Sequence, residues 1–159
     1  MSAPQGRSGG GDDRGRVLAL DLGERRIGLA LSDSGRVLAS PYGVLERSGD
    51  PVRDRSRLKA IVEETGARLV LVGLPLSLSG RPGAAAAAAL AEADALAQVC
   101  GVPVRTFDER LTTVEAARRR RERGSPRRRP KGAGAREGID AEAAAVLLGA
   151  FLDAGRGSP

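Results

Sequence analysis

Residues 17–33, VLALDLGERRIGLALSD, contain two apolar runs separated by a polar turn with a glycine. This pattern predicts a β-hairpin. One carboxylate, Asp21, interrupts the first run. Because a buried charge without compensation costs several kcal/mol, some group must offset it. A turn amide, a salt bridge, a bound nucleotide and a metal ion are all open at this point.

Composition narrows the chemistry that the chain can perform. The 159 residues are enough for one domain with a core. There is no histidine, and the single cysteine, Cys100, makes a thiolate zinc site untenable. Catalysis must therefore use carboxylates, hydroxyls, amines or bound metal. The net charge of +6 favours a polyanionic partner. Because the first residues lack the apolar core of a secretory signal, we expect a cytoplasmic protein that meets nucleic acid.

Hydrophobic periodicity predicts a mixed α/β domain. We expect a disordered leader over residues 1–15, the folded domain over 16–154 and a disordered tail over 155–159. The element order is β-β-β-α-β-α-β-α-α. Strands are predicted at 17–22, 27–32, 37–44, 68–74 and 102–107, and helices at 53–65, 84–99 and 114–123, with a last helix whose apolar face is Ile139, Ala143, Val146, Leu147, Ala150 and Phe151.

Carboxylates stand at the ends of three predicted elements. Asp21 lies in the first strand, Asp108 and Glu109 follow the last strand, and Asp140 starts the last helix. Ligand sites in α/β sheets collect where strands end. Converging carboxylates form an oxygen-only cluster, which suits Mg²⁺ or Mn²⁺. Two such ions about 4 Å apart can support phosphodiester cleavage without histidine.

Each acid also has a structural interpretation. Asp21 can accept amide hydrogen bonds in the turn at Gly23. Asp140 occupies a position typical of a helix N-cap. Strand alternation turns Asp108 and Glu109 to opposite faces, so only one of them can face the other acids, and Asp108 is the better candidate for a structural role.

The segments together resemble the YqgF (RuvX-like) family of pre-16S ribosomal RNA nucleases and Holliday junction resolvase-like proteins. The matching pieces are LALDLGERRIGLALSD, VGLPLSLSG, FDERLTTVEA and KGAGAREGIDAEAAAVLLGAFL, in that order. The resemblance implies an RNase H-like fold, with a three-stranded antiparallel start followed by parallel strands and flanking helices. It also implies a metal-dependent nuclease with Asp21, Glu109 and Asp140 as catalytic and metal-binding residues and Asp108 as the alternative to Glu109.

Basic residues are concentrated in one segment, RRRRERGSPRRRPK, whose charges hardly alternate. We interpret residues 124–138 as a flexible basic loop that neutralises backbone phosphates, with a solvated loop as the simpler alternative. Since aromatic residues are nearly absent, backbone path and shape should dominate recognition. The candidate nucleic-acid contacts are Arg25, Arg26, Arg110, Arg118, Arg121, Arg127, Arg128, Arg129 and Lys131.

The substrate is left open by the sequence. A precursor of 16S ribosomal RNA and a branched DNA junction both suit the acids, and so does a non-catalytic nucleic-acid-binding factor that retains them. Actin-like sugar kinases also open with a D-x-G hairpin. The other D-x-G stretches here, Asp33–Gly35 and Asp153–Gly155, are misplaced for a second phosphate hairpin, and the chain is too short. The oligomeric state, monomer or dimer, is undetermined.

Overall fold

The computed structural model describes residues 14–75, 83–108 and 134–156, with side chains described for 138–155 of the last segment. Five strands and three helices fall in these ranges. They are β1 (Val17–Leu22), β2 (Arg26–Ser32), β3 (Ala39–Glu46), α1 (Pro51–Thr65), β4 (Leu69–Leu74), α2 (Ala84–Val99), β5 (Val104–Asp108) and α3 (Gly134–Arg156).

The strands form one mixed sheet in the order β3-β2-β1-β4-β5. Strands β1, β2 and β3 pair antiparallel, whereas β1 pairs with β4, and β4 with β5, in parallel. The predicted antiparallel start and parallel continuation are therefore confirmed. The predicted helix 114–123 lies outside the described residues.

The sheet is covered on both faces. One face packs against α1 and α2 and includes Leu18, Leu20 and Leu96. The other packs against α3 and includes Val17, Ala19 and Leu148. A bidentate pair, Arg55 to Glu92 at 3.0 and 2.9 Å, joins α1 to α2. Alternation along β1 thus assigns even-numbered residues to the α1/α2 face and odd-numbered residues to the α3 face.

Strand β3 starts two residues later than predicted because the preceding turn uses the amides of those residues. The Asp33 carboxylate accepts hydrogen bonds from the amides of Val37 and Leu38, both at 2.8 Å. Arg36 adopts a φ of 56°, which is uncommon outside glycine. Residues 33–38 therefore form a closed turn, and pairing with β2 begins at Ala39.

The last helix corrects two predictions. It begins at Gly134, so Asp140 lies inside the helix and is not an N-cap. The interpretation of 124–138 as an irregular loop is wrong for residues 134–138, and residues 124–133 lie outside the described part of the chain. The helix also runs on to Arg156, past the predicted boundary at 154.

The buried face of α3 agrees with the predicted one in part. Leu147 and Ala150 are buried as predicted, whereas Ile139 is 50% exposed and Ala143 is also exposed. Ala141, Ala144, Leu148 and Leu152 are buried as well. Apolar periodicity alone could not fix this face, because residues 143–152 contain no charged or polar side chain.

The predicted ends of the domain can be compared only where the structure describes them. Gly15, assigned to the leader, donates its amide to the carbonyl of Ser34 at 2.9 Å. Residues 1–13 and 157–159 lie outside the described part of the chain. Among the helices that are described, none has the length and apolar character needed to cross a membrane.

Helix α1 begins two residues earlier than predicted, with Asp50 as its N-cap and Pro51 in its first turn. Asp54, which is buried, holds the preceding bend by accepting hydrogen bonds from the hydroxyl of Ser48 at 2.7 Å and from its amide at 3.1 Å. The Ser48 hydroxyl, the Ser48 amide and the charges of Arg57 and Arg47 lower the pKa of Asp54, while burial opposes them.

Replacing Asp54 by Asn should lower the free energy of unfolding by about 1.5–3 kcal/mol, because hydrogen bonds to a charged acceptor are lost. The folded-state pKa lies below the ordinary 3.8. The stabilisation is thus complete above that value and is lost as the pH falls through the lower folded-state pKa. Urea unfolding at pH 7 and pH 3 measures this. Asp94→Asn, on the exposed side of α2, is the control, and equal effects of both variants would refute the assignment.

Candidate active site

Asp21 lies near the end of β1, on the face that packs against α3. Its side chain is half-buried, and its partner across the hairpin is Gly28 of β2. In the turn that follows, the amide of Gly23 donates to the carbonyl of Arg26 at 2.9 Å. That amide is therefore engaged by the backbone of the turn.

The absence of a side chain at Gly28 lets the backbone at Asp140 lie against the residue that pairs with Asp21. A side chain at position 28 would overlap the carbonyl oxygen of Asp140 and would lie 2.6 Å from its carbonyl carbon and 3.3 Å from the amide nitrogen of Ala141. The backbone of α3 therefore rests directly on the residue that pairs with Asp21. Two acids that are 119 positions apart in the sequence are attached to adjoining backbone on one face of the sheet.

Asp108 lies on the opposite face from Asp21. It pairs with Leu74, which packs in the α1/α2 core, whereas Phe107 packs in the α3 core. Phe107 makes an edge-to-face contact with Phe151 at 5.7 Å, which fixes the orientation of β5. Glu109 lies outside the described residues. Of the two neighbouring acids, Asp108 is therefore the one that points away from Asp21 and α3.

The donor set suits a hard divalent cation. Asp21 and Asp140 offer only carboxylate oxygens, which are the ligands that Mg²⁺ and Mn²⁺ prefer. Two carboxylates in one place repel each other unless a cation or hydrogen bonds offset the charge. Within the described ranges no group of three or more acidic, histidine or cysteine side chains is arranged to hold a metal.

Two of the predicted nucleic-acid contacts lie at the same end of the sheet as Asp21. Arg25 is exposed in the hairpin turn, and Arg26 starts β2 on the same face as Gly28. The Nε of Arg26 lies 3.8 Å from an oxygen of Glu46, whose side chain is 72% exposed. Such an exposed pair is weak, so Arg26 can exchange it for a phosphate at little cost. The other predicted contacts, Arg110, Arg118, Arg121, Arg127, Arg128, Arg129 and Lys131, lie outside the described residues.

Gly28 is the site residue that the sequence analysis missed. It stands in the interior of a predicted strand, where glycine weakens pairing and often marks a close approach of another backbone. That signal was present in the run RIGLALS but did not reveal which segment approaches.

Comparison with known sequences agrees with this arrangement. The family model for RuvX, described as a Holliday junction resolvase, matches residues 15–154. The chain belongs to the RuvX family. The suspected resemblance is thereby confirmed, and the match includes both Asp21 and Asp140.

Curated relatives of this RuvX-family chain carry the name "Putative pre-16S rRNA nuclease". One from Anaeromyxobacter sp. (strain Fw109-5) is 45% identical over 138 residues, covering 87% of this chain and 96% of the relative. Another from Chloroflexus aggregans is 43% identical over 140 residues, covering 88% and 94%.

Two solved structures of RuvC have a fold similar to that of this RuvX-family chain. Thermus thermophilus RuvC in complex with a Holliday junction substrate superposes with a TM-score of 0.55 at 19% identity, covering 89% of this chain and 96% of that one. A second Thermus thermophilus RuvC structure gives 0.53 at 20% identity with the same coverage. The predicted RNase H-like fold class is confirmed by this likeness.

Gly28→Ala should strongly reduce any activity that needs Asp21 and Asp140 together, because the added methyl group forces α3 away from β2. We also expect a loss of about 1–3 kcal/mol in unfolding free energy, typical of overpacking. Gly43→Ala is the matched control, since a methyl group at this position of the adjoining strand β3 meets nothing within 4 Å. Cleavage rates and thermal unfolding of both variants decide the matter, and full activity of Gly28→Ala would contradict this account.

Proposed function

We propose that this protein is a metal-dependent endonuclease that hydrolyses phosphodiester bonds during processing of the 5′ end of pre-16S ribosomal RNA. The observation that carries the proposal is the contact of the α3 backbone at Asp140 with Gly28, the strand partner of Asp21. It attaches two carboxylates to rigid elements at one end of the sheet. The names of the relatives indicate the substrate, since these relatives share up to 45% identity with this chain over most of its length.

Glu109 completes the proposed set of acids. Asp108 belongs to the α1/α2 face. Strand alternation in the sequence predicts that Asp108 and Glu109 face opposite ways. This supports Glu109 over Asp108 as the third ligand and agrees with the preference drawn from the sequence.

Asp21, Glu109 and Asp140 would hold Mg²⁺ or Mn²⁺, as two ions. Divalent ions bound there supply Lewis-acid chemistry that activates water and stabilises charge on the leaving oxygen. The carboxylates supply the negative charge that retains the ions, and their attachment to β1 and α3 fixes the geometry in advance. Arg25 and Arg26 are placed to contact phosphates beside the cleaved bond.

Branched DNA is the second candidate substrate, favoured by the description of the family model as a Holliday junction resolvase. The likeness to RuvC shows the fold and does not choose between RNA and DNA. Phe107 and Phe151 pack against each other and do not favour base stacking, and Tyr42 lies within β3, away from the hairpin turn. Recognition through backbone path and shape suits either substrate.

Substitution of the acids tests the active site. Asp21→Asn and Asp140→Asn should each abolish Mg²⁺-dependent cleavage, because the charge that retains the ions is lost while the shape is kept. Nucleic-acid affinity and thermal stability should change little. Wild-type cleavage by Asp21→Asn would show that this residue holds no metal.

The adjacent acids provide an internal control. Glu109→Gln should abolish cleavage, whereas Asp108→Asn should retain most of it, since Asp108 belongs to the face opposite to Asp21. The reverse result would exchange their roles.

A parallel assay identifies the substrate. The purified protein is offered a precursor of small-subunit ribosomal RNA and a synthetic four-way DNA junction, each with Mg²⁺ or Mn²⁺. Cleavage of the RNA alone, lost in Asp21→Asn, is the expected result. Symmetric cleavage of the junction alone would replace it with a resolvase. Tight binding without cleavage of either would indicate a non-catalytic factor.

A further inference from the structure

Two arginines lie opposite each other where the ladder between β2 and β3 ends. The amide of Arg47 donates to the carbonyl of Arg25 at 2.8 Å, which continues the register that pairs Arg26 with Glu46. Residues joined in this way across antiparallel strands have Cα atoms about 5.5 Å apart. Both arginines are exposed. We name Arg25 and Arg47 the tip arginine pair. The sequence indicates only Arg25, because Arg47 follows a different strand.

Neither arginine of the pair forms an ion pair with another described residue. The ion pairs in the described part of the chain join Arg26 to Glu46 and Arg55 to Glu92. Like charges opposite each other across strands are destabilising. An anion held between the two guanidinium groups would therefore be favourable.

One buried carboxylate, Asp54, interacts with the charge of Arg47. Asp54 accepts hydrogen bonds from the hydroxyl and the amide of Ser48, and its charge is shared between Arg57 and Arg47. Arg57 is held nearby, because its Nη1 donates to the carbonyl of Glu46 at 3.1 Å. A single carboxylate shared by two guanidinium groups leaves positive charge at Arg47.

The tip arginine pair lines a depression of about 530 Å³ at the end of the strands. Its lining also includes Arg26, on the face of Asp21, and Ile27, whose side chain packs in the α1/α2 core. Ile27 pairs with Leu22, the neighbour of Asp21 in β1. The depression thus lies beside the hairpin turn, where the two faces of the sheet meet. Nucleic acid can reach it over the exposed end of the strands without crossing the buried sheet.

Other acids line the depression, and most of them are engaged. Glu92 accepts both hydrogen bonds from Arg55, at 3.0 and 2.9 Å, and Glu46 lies 3.8 Å from Arg26. Glu24, exposed in the turn, is the acid of this described lining that is left to oppose the tip arginine pair. Two arginines against one glutamate leave net positive charge. A phosphate suits this position, because each planar guanidinium can bind two of its oxygens.

We propose that the tip arginine pair binds one backbone phosphate of the nucleic acid that is cleaved at Asp21. Arg26 contacts the backbone on the face of Asp21, and the tip arginine pair contacts it where it passes over the end of the strands. The proposal rests on the proposed nuclease function for its substrate. It adds Arg47 as a binding residue and assigns one phosphate to two arginines.

Single and double substitutions test whether one phosphate is shared. Arg25→Gln, Arg47→Gln and the double variant are compared with Arg57→Gln, which is the matched control. Arg57→Gln removes the same charge and also affects Asp54, but Arg57 does not line the depression. The probes are an unstructured single-stranded RNA and a synthetic four-way DNA junction. Binding is measured without divalent ions over a series of salt concentrations, so that cleavage does not interfere.

Each single variant should bind about fivefold more weakly, and the double variant about tenfold, compared with about 25-fold for independent contacts. The slope of log affinity against log salt should fall by about 0.7–0.9 in the double variant, which corresponds to one phosphate. A loss with both probes identifies the shared phosphodiester backbone as the ligand, and a loss with RNA alone identifies RNA. Losses equal to that of Arg57→Gln, or fully independent losses for the two arginines, would overturn the proposal.

A variant of opposite sign strengthens the test. Glu24→Gln should increase the affinity for the probes, because it removes the negative charge that opposes the tip arginine pair. Weaker binding by Glu24→Gln would contradict the proposal.

Two further measurements keep the test decisive. Thermal unfolding verifies that each variant is folded, and Arg47→Met, which keeps an unbranched side chain, replaces Arg47→Gln if the latter unfolds. The failure of the nuclease proposal is visible separately, as absent cleavage of both substrates by the unmodified protein. Binding through the tip arginine pair would stand in that case, because it is measured without cleavage.

Discussion

The close approach of the α3 backbone to Gly28 is the constraint on which the site depends. Residues 109–133 separate β5 from α3 in the sequence, so chain connectivity does not fix the position of this helix closely. Packing does. Ala144 and Leu148 are buried in one cluster with Ala19 and Ala30 of the sheet. The missing side chain at position 28 then lets the Asp140 backbone reach the hairpin that carries Asp21.

The two faces of the sheet have different roles. The α1/α2 face holds a large apolar core that includes Leu58, Leu96 and Val72, and the Arg55–Glu92 pair ties its helices together. Its burial stabilises the sheet without contributing the proposed acids. The α3 face carries Asp21 at its edge. A rigid sheet can therefore hold charged groups in a fixed position, because the opposite face provides much of the apolar burial that folding requires.

Charge is distributed along the strands as well as across the sheet. Asp21 lies at the carboxyl end of β1 beside Arg25 and Arg26 of the hairpin, while Arg14, Arg16 and Arg68 lie at the amino ends of β1 and β4. Close carboxylates are unfavourable in the absence of cations, whereas arginines attract any polyanion. Acids and arginines therefore lie together at the end of the sheet that carries Asp21.

The sequence by itself determined the order of the described elements, because apolar periodicity and turn residues act locally. Strand β1 and helix α2 have the predicted ends, and Asp21 stands out because an acid in an apolar run is unexpected. Tertiary structure decided what local patterns could not encode. Asp140 lies within α3, although its neighbourhood looks like a helix start, and the alanine-rich face of that helix was chosen by its fit to the sheet. The opposed faces of Asp108 and Asp21 and the meeting of Gly28 with Asp140 depend on strand pairing and helix packing between distant segments, so only the folded chain reveals them.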